Sequence, residues 1–324
     1  MKSRNVRLLA AAVLGALAAA AGWTAAEYQR DITRARNRVS SGSRVLTTPC
    51  GAIEYAEMGK GPVILSVHGA GGGFDQGLAI AAPFVSRGYR VIAMSRFGYL
   101  HTPVPAHASI ALQADAHACL LDALGIRSAA VLGVSAGAPS SLEFALRYPE
   151  RCTALVLIVP GWYPSPEAAK RLAPLAEFVF SQVLRSDFLY WAMNRFLPAL
   201  SERMVLGTPP EVVAAASASE RARVASVLEI ISPLSQRQEG LSLEVRFTIE
   251  RLSKPLETIS APTLTISTED DLYRTYDNAR FIAQHVAHGR FIGYPTGGHL
   301  FVGHNDEVLA AVEDFLGQTR SGGE

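Results

Sequence analysis

Very little in this 324-residue chain points to a polyanionic partner. Lysine and arginine outnumber aspartate and glutamate by only 30 to 29, so no basic surface for nucleic acid is expected. Cysteine is scarce and odd in number: Cys50, Cys119 and Cys152 suggest no disulfide framework, and none lies in a motif that activates a thiol. They are expected to be buried free thiols. The eight histidines show no clustered ligand spacing with carboxylates, so no metal is expected. No Lys-Ser or Lys-Thr pair follows the glycine run at 69–73, which argues against a phosphate loop. What remains is chemistry without a metal or a cofactor.

Charge is absent from one further stretch. Leu8 to Ala26 holds no charged residue, is rich in Ala and Leu, and follows Lys2, Arg4 and Arg7. Its length nearly reaches the ~20 residues that cross a bilayer. We expect a retained membrane anchor, with a cleaved export signal as the alternative, since small residues around 18–26 offer cleavage sites. The charges on either side do not settle which of the two applies, because Arg30, Arg34, Arg36 and Arg38 follow the run together with Glu27 and Asp31. On this reading residues 1–44 are a leader and linker, dispensable for activity on a soluble substrate.

After the linker, short strands are expected at 44–47 and 52–57. Strands and helices then alternate. Near-continuous apolar runs at 63–67, 90–94, 129–133, 154–159, 263–267 and 290–294 read as strands buried on both faces. Helical periodicity lies between and after them, at 76–87, 110–124, 136–148, 276–286 and 307–316. The fold class is therefore α/β, with a doubly wound, mostly parallel sheet. One interval, 161–262, lacks any strand signal and is too long for a loop. It reads as a helical cap inserted into a core made of 45–160 and 263–324.

The chemistry is written in Gly133-Val134-Ser135-Ala136-Gly137, which joins the apolar run at 129–133 directly to the helix at 136–148. A strand that turns so abruptly into a helix forces a strained backbone at the serine, and flanking glycines remove colliding side chains. Ser135 is the expected nucleophile. A serine hydroxyl needs a base and an acid further along the chain. His299 follows the 290–294 strand in a Gly297-Gly298-His299 turn, and Asp270 and Asp271 follow the 263–267 strand. Residue types alone leave the choice between the two aspartates open, and the unused one is expected to face solvent. Backbone N–H groups of Ala136 and of Ala70, in His68-Gly69-Ala70-Gly71-Gly72-Gly73, are the expected donors to an oxyanion.

Assembled in this order, the residues resemble the α/β-hydrolase superfamily, in particular its bacterial esterase-like and lipase-like serine hydrolases with an N-terminal export or anchor segment. Ser95-Arg96-Phe97-Gly98-Tyr99-Leu100 is similar to that family's Asp-Arg-x-Gly-x-Gly loop, with Ser95 and Leu100 as departures. The resemblance aligns the acid with a G-x-x-D pattern and so favours Asp271. It implies an acyl-enzyme mechanism, while serine at 135 argues against the dehalogenases and epoxide hydrolases of this fold, which carry aspartate there. Carbon-carbon bond hydrolases, cofactor-free haloperoxidase-like enzymes and non-catalytic binding proteins are the alternatives. Cap aromatics Trp162, Tyr163, Phe178, Phe180 and Trp191, together with the membrane leader, point to a small-molecule, hydrophobic acyl substrate.

Overall fold

The computed structural model of the chain describes residues 2–162 and 183–321. Eight strands form one sheet: β1 (Arg44–Thr48), β2 (Gly51–Met58), β3 (Val63–Val67), β4 (Arg90–Met94), β5 (Ala129–Val134), β6 (Cys152–Ile158), β7 (Thr263–Thr268) and β8 (Gly289–Tyr294). Their spatial order is β1-β2-β4-β3-β5-β6-β7-β8. The β1–β2 and β2–β4 pairs are antiparallel and the remaining neighbours are parallel. The described helices are α1 (Lys2–Val39), α2 (Phe74–Ala81), α3 (Ile110–Ala123), α4 (Ala138–Arg147), α5 (Asp187–Phe196), α6 (Pro198–Met204), α7 (Pro210–Ala215), α8 (Ala218–Ile230), α9 (Gln238–Ile249), α10 (Thr275–His285) and α11 (Asn305–Ser321).

The apolar runs became strands because both of their faces are covered. Alternate residues divide between two cores: Leu65, Val67, Val131, Leu155 and Leu157 pack with Ile110, Leu120 and Phe144 on one side. Ile64, Leu132, Val156, Ile158 and Leu264 pack with Phe84, Val312 and Phe315 on the other. This two-residue period is the signature of a sheet between two helical layers. The chain therefore has the expected doubly wound, mostly parallel architecture.

Between β6 and β7 the described residues hold helices α5 to α9 and no strand. They carry a core of their own around Tyr190, Met193, Leu206, Val224 and Leu228, joined by Val302 from beyond β8. Of the aromatics expected to face a substrate, Tyr163, Phe178 and Phe180 lie outside the described residues. Trp162 is buried in the main core and donates to the Glu250 carbonyl oxygen at 3.2 Å. Trp191 donates to Asp31 at 2.9 Å and packs on Tyr28, both on α1. These two rings are packing elements, which corrects their assignment to a substrate surface.

Two further expectations are overturned. Residues 27–39 are not a free linker: α1 runs unbroken to Val39, and its face formed by Ile32, Ala35 and Val39 is buried at 4%, 4% and 1% exposure. A helical stripe spaced three and four residues apart seals one face, although the other is lined with charge. The cysteines also differ from expectation. Cys50, in the β1–β2 turn, is disulfide-bonded to Cys119 on α3 with their Cα atoms 6.2 Å apart, and Cys152 alone is free and buried. Helix α3 packs across the β1–β2 hairpin and brings together thiols 69 residues apart, a proximity that spacing along the chain does not reveal.

Candidate active site

Strand β5 lies at the centre of the sheet, and the chain leaves it directly into a single 3-10 turn, Ser135–Gly137, followed by α4. Ser135 has φ 51°, a left-handed conformation that costs an L-residue about 1–2 kcal/mol. The surroundings hold it there. A Cβ on Gly137 would stand 2.5 Å from the Val67 carbonyl oxygen, and one on Gly133 would meet the Ser141 side chain at 2.4 Å. Both glycines therefore let the elbow press against β3 and its own helix. Behind the serine, the Gly161 N–H donates to the Ser135 carbonyl oxygen at 2.9 Å.

The loops after β7 and β8 converge on this serine. His299 Nε2 lies 2.9 Å from Ser135 Oγ, and His299 Nδ1 lies 2.8 Å from Asp271 Oδ2. Asp271 is buried, and its other oxygen accepts from the Tyr273 N–H at 2.8 Å. Thr275 Oγ1 also donates to Oδ2. The Tyr273 ring stands edge-on against the imidazole at 5.0 Å between centroids. With Nδ1–H given to the carboxylate, Nε2 faces the hydroxyl as an acceptor.

The structure thus separates the adjacent aspartates by function of contact. Asp271 meets the imidazole, whereas Asp270 accepts the N–H groups of Gly297 at 3.1 Å and Gly298 at 2.8 Å. Asp270 was expected to face solvent; instead it fastens the turn that presents His299. Backbone of that turn has φ 129° at Gly297 and 60° at Gly298, which side chains resist, and a Cβ on Gly298 would strike Thr208. The segment around Gly207 and Thr208 therefore rests directly on the histidine loop, and the Gly207 carbonyl accepts from the His299 N–H at 3.3 Å.

The glycine loop after β3 lies on the other side of the serine, close enough that a Cβ on Gly69 would stand 3.2 Å from the Ser135 Cβ. Its backbone is clamped by side chains. The Gly69 N–H donates to Gln76 Oε1 at 2.9 Å, and Arg96 reaches the carbonyls of His68 at 3.0 Å and Gly69 at 3.1 Å. His68 accepts the Arg96 N–H on Nε2 at 2.9 Å and contacts the Gly69 carbonyl through Nδ1 at 2.7 Å. Burial, with Arg96 beside it, holds the His68 pKa well below the ordinary imidazole value, so the ring is a neutral brace. Ala70 is exposed on this loop and Ala136 is buried at the first turn after the serine, where helical N–H groups lack partners within the helix.

Sequence reasoning missed the charged groups that secure the loop from a distance. Arg96 is buried and ion-paired with Glu244 of α9 at 2.5 Å, and Tyr99 donates to the same carboxylate. Arg237 is fully buried, donates to the Gly72 carbonyl, and pairs with Asp75 at 2.8 Å. Ser95 stands where the resemblance leads one to expect aspartate, and its hydroxyl donates to buried Glu54 at 2.7 Å while accepting the Phe74 N–H at 3.0 Å. Leu100, in the place of a glycine, has φ 52°. Arg96 had a signal in the Ser95–Leu100 motif, but its partner Glu244 and the Arg237–Asp75 pair had none, since each partner lies far along the chain.

A family model described as the alpha/beta hydrolase fold matches residues 62–305. The chain belongs to the α/β-hydrolase family. It is 27% identical over 268 residues to the uncharacterized hydrolase YcgS of Bacillus subtilis (strain 168), covering 79% of this chain and 90% of that one. It is 37% identical over 114 residues to a 2-hydroxy-6-oxo-6-phenylhexa-2,4-dienoate hydrolase of Comamonas testosteroni, covering 34% of this chain and 40% of that enzyme. Among solved structures, an alpha/beta hydrolase fold protein from Nakamurella multipartita matches with a TM-score of 0.66 and 26% identity, covering 85% of this chain and 98% of that one. This α/β-hydrolase is thus an enzyme of the hydrolase class. Its α1 is long and apolar enough to cross a membrane, with mean hydropathy 1.7 in its most apolar window.

Proposed function

We propose that this α/β-hydrolase is a serine hydrolase that cleaves a hydrophobic ester or related acyl substrate through Ser135, His299 and Asp271. The observation that carries the reading is the continuous hydrogen-bond chain from Ser135 Oγ through both imidazole nitrogens to Asp271 Oδ2. Ser135 Oγ attacks the acyl carbon while His299 Nε2 takes the hydroxyl proton. Backbone N–H groups of Ala70 and Ala136 receive the oxyanion, which is stabilised by preorganised donors. Collapse breaks the bond to the leaving alcohol, which departs with the proton from Nε2 and leaves an acyl-serine. Water then gives a proton to Nε2, its oxygen bonds to the acyl carbon, and the acid leaves as the proton returns to Ser135. Asp271 keeps the imidazole in the required tautomer throughout.

In this proposal residues 161–262 form the cap over a core made of 45–160 and 263–324. Residues 8–26 anchor the enzyme in a membrane. A disulfide persists in oxidising surroundings, so the Cys50–Cys119 bridge supports a catalytic domain on the exported side. Lys2, Arg4 and Arg7 then remain on the cytoplasmic side, as the preference for positive residues there favours. The hydrophobic character of the substrate rests on this membrane setting, since Trp162 and Trp191 are committed to packing.

A second reading is carried by the match to the 2-hydroxy-6-oxo-6-phenylhexa-2,4-dienoate hydrolase, whose name describes cleavage of a dienoate. A fluorophosphonate probe and a paired substrate panel test the two. Labelling is expected on wild type and absent from Ser135→Ala, with turnover of p-nitrophenyl esters rising from acetate toward hexanoate or octanoate. Each of Ser135→Ala and His299→Ala should lower kcat by about 10³-fold or more. Turnover within tenfold of wild type in either would refute the mechanism. Clean labelling with turnover of the dienoate alone would select the carbon-carbon hydrolase.

A further inference from the structure

Helix α5 lies antiparallel along α1, and successive contacts descend toward the apolar end of α1. Arg36 pairs with Asp187 at 3.6 Å, and Asp31 accepts from Trp191 at 2.9 Å. Tyr28 meets the rings of Phe188 and Trp191 at 5.2 and 5.5 Å, and the Arg195 guanidinium lies 5.7 Å from the Trp23 ring centroid. The end of α5 is thereby brought level with Trp23. At 1.5 Å of rise per residue, Trp23 lies roughly 5 Å inside the end of the uncharged run at Ala26.

Just beyond Arg195 the chain turns its apolar side chains to solvent: Phe196 is 52% exposed, Leu197 56% and Leu200 41%. They are not isolated. Of the fifteen large apolar side chains left exposed among the described residues, five are on α1 between Leu9 and Trp23, and five more are Phe188, Leu189, Phe196, Leu197 and Leu200. Scattered single exposures are ordinary, whereas a contiguous apolar face marks an interaction surface. Trp23 and Arg195 sit where an aromatic ring and a long cationic side chain favour the boundary between water and hydrocarbon.

We propose that the Phe196, Leu197 and Leu200 face is a second membrane contact, resting in the interface of the leaflet that α1 crosses. The proposal builds on the reading of α1 as an anchor. The occupant is lipid, because the patch continues the surface of the span itself and shares its depth through the Trp23–Arg195 contact. The enzyme is then held by two points, a span and a cap foot. Two points fix its orientation, and the cap faces the bilayer as the source of an apolar substrate.

The test uses full-length protein in vesicles of equimolar phosphatidylcholine and phosphatidylglycerol, with some lipids carrying nitroxides along the acyl chain. An environment-sensitive fluorophore is placed on a single introduced cysteine by Leu14→Cys, Leu197→Cys or Leu112→Cys, the last on exposed core helix α3. Native cysteines stay silent, because one pair is bridged and Cys152 is buried. Quenching at 197 should exceed that at 112 by about threefold or more, as expected of a side chain in the headgroup boundary. Equal quenching at 197 and 112, with strong quenching at 14, overturns the cap contact and leaves the anchor standing. Quenching at 197 without quenching at 14 supports the surface and overturns the span. If all three sites escape, both fall. A blue-shifted fluorophore at 197 that lipid nitroxides do not reach assigns the patch to a second protein copy and overturns lipid as the occupant.

Discussion

Arg38, one residue from the end of α1, donates from Nε to Asp75 Oδ2 at 3.3 Å, and this contact ties the N-terminal helix to the floor of the site. Asp75 opens α2 immediately after the glycine loop and also binds Arg237, which donates to the Gly72 carbonyl. Arg38 further donates to the carbonyls of Glu229 at 3.1 Å, Ile230 at 3.0 Å and Ser232. These carbonyls lie at and just beyond the end of α8, where a cation is favoured, and the Ile230 carbonyl also accepts from Arg237 at 2.8 Å. One carboxylate thus joins the leader, the core and the segment between β6 and β7.

Shortening the chain should reveal this. A protein beginning at Glu27 keeps the buried stripe and should match full-length stability, whereas one beginning at Arg44 loses Ile32, Val39 and Arg38. Two buried branched side chains alone are worth about 4 kcal/mol, a fall in Tm of roughly 6 °C for a chain of this size. Turnover of a soluble ester should fall with it. An unchanged Tm and kcat on starting at Arg44 would restore residues 27–39 to the status of a linker.

The two aspartates should fail differently. Asp271→Asn removes the negative charge and, with its oxygen kept on the Tyr273 N–H, turns an NH2 donor toward His299 Nδ1, which favours the wrong tautomer and should cost about 10⁴-fold in kcat. Asp270→Ala frees two N–H groups of the Gly-Gly turn and should cost about tenfold while lowering Tm, because it disturbs placement and not chemistry. Asp270→Asn keeps an acceptor and should recover part of that loss. A dead Asp270→Asn with an active Asp271→Asn would move the acid by one residue.

Acid should weaken the fold through two buried bases. Burial strips the imidazolium of water and Arg96 adds a like charge, so the His117 pKa falls from 6.5 to about 3, and His68 is lowered in the same direction. The unfolded chain takes up protons that the native one refuses. Stability is therefore complete above 6.5 and declines as pH falls toward 3. At pH 5 the loss from His117 alone is about 2 kcal/mol. Urea midpoints should drop less steeply with acid in His117→Gln, and an identical slope in both proteins would discount this histidine.

Thiol titration checks the cysteines. Burial raises the Cys152 thiol to about 12, so native protein should offer no reactive thiol. One should appear on unfolding and all three only after reduction. Three thiols on unfolding without reductant would rule out the bridge.

Much of this molecule was legible because its signals are local. A run such as Val63–Val67 is apolar at nearly every position only if both faces are covered, and Gly133 and Gly137 advertise a backbone that admits no side chains. What stayed hidden depends on partners far away in the chain. Ile32, Ala35 and Val39 have helical spacing, but the arginines between them resemble a solvated linker. Asp75, Arg237 and Glu244 look like ordinary surface charges until folding buries them together. Asp270 looked redundant because its partners are backbone groups, which carry no sequence signature.

The seal of Ile32, Ala35 and Val39 also limits how the chain can be processed. Tyr28 and Asp31 hold Phe188 and Trp191 through ring packing and a hydrogen bond, so a peptidase that cut beyond them would strip a wall from the folded protein. Any cut that leaves these contacts whole must therefore fall N-terminal of Tyr28. On the reading of α1 as an anchor, a cut there would remove the span and leave the Phe196, Leu197 and Leu200 face as the one remaining lipid contact, turning a fixed attachment into a reversible one without touching Ser135, His299 or the loops that hold them.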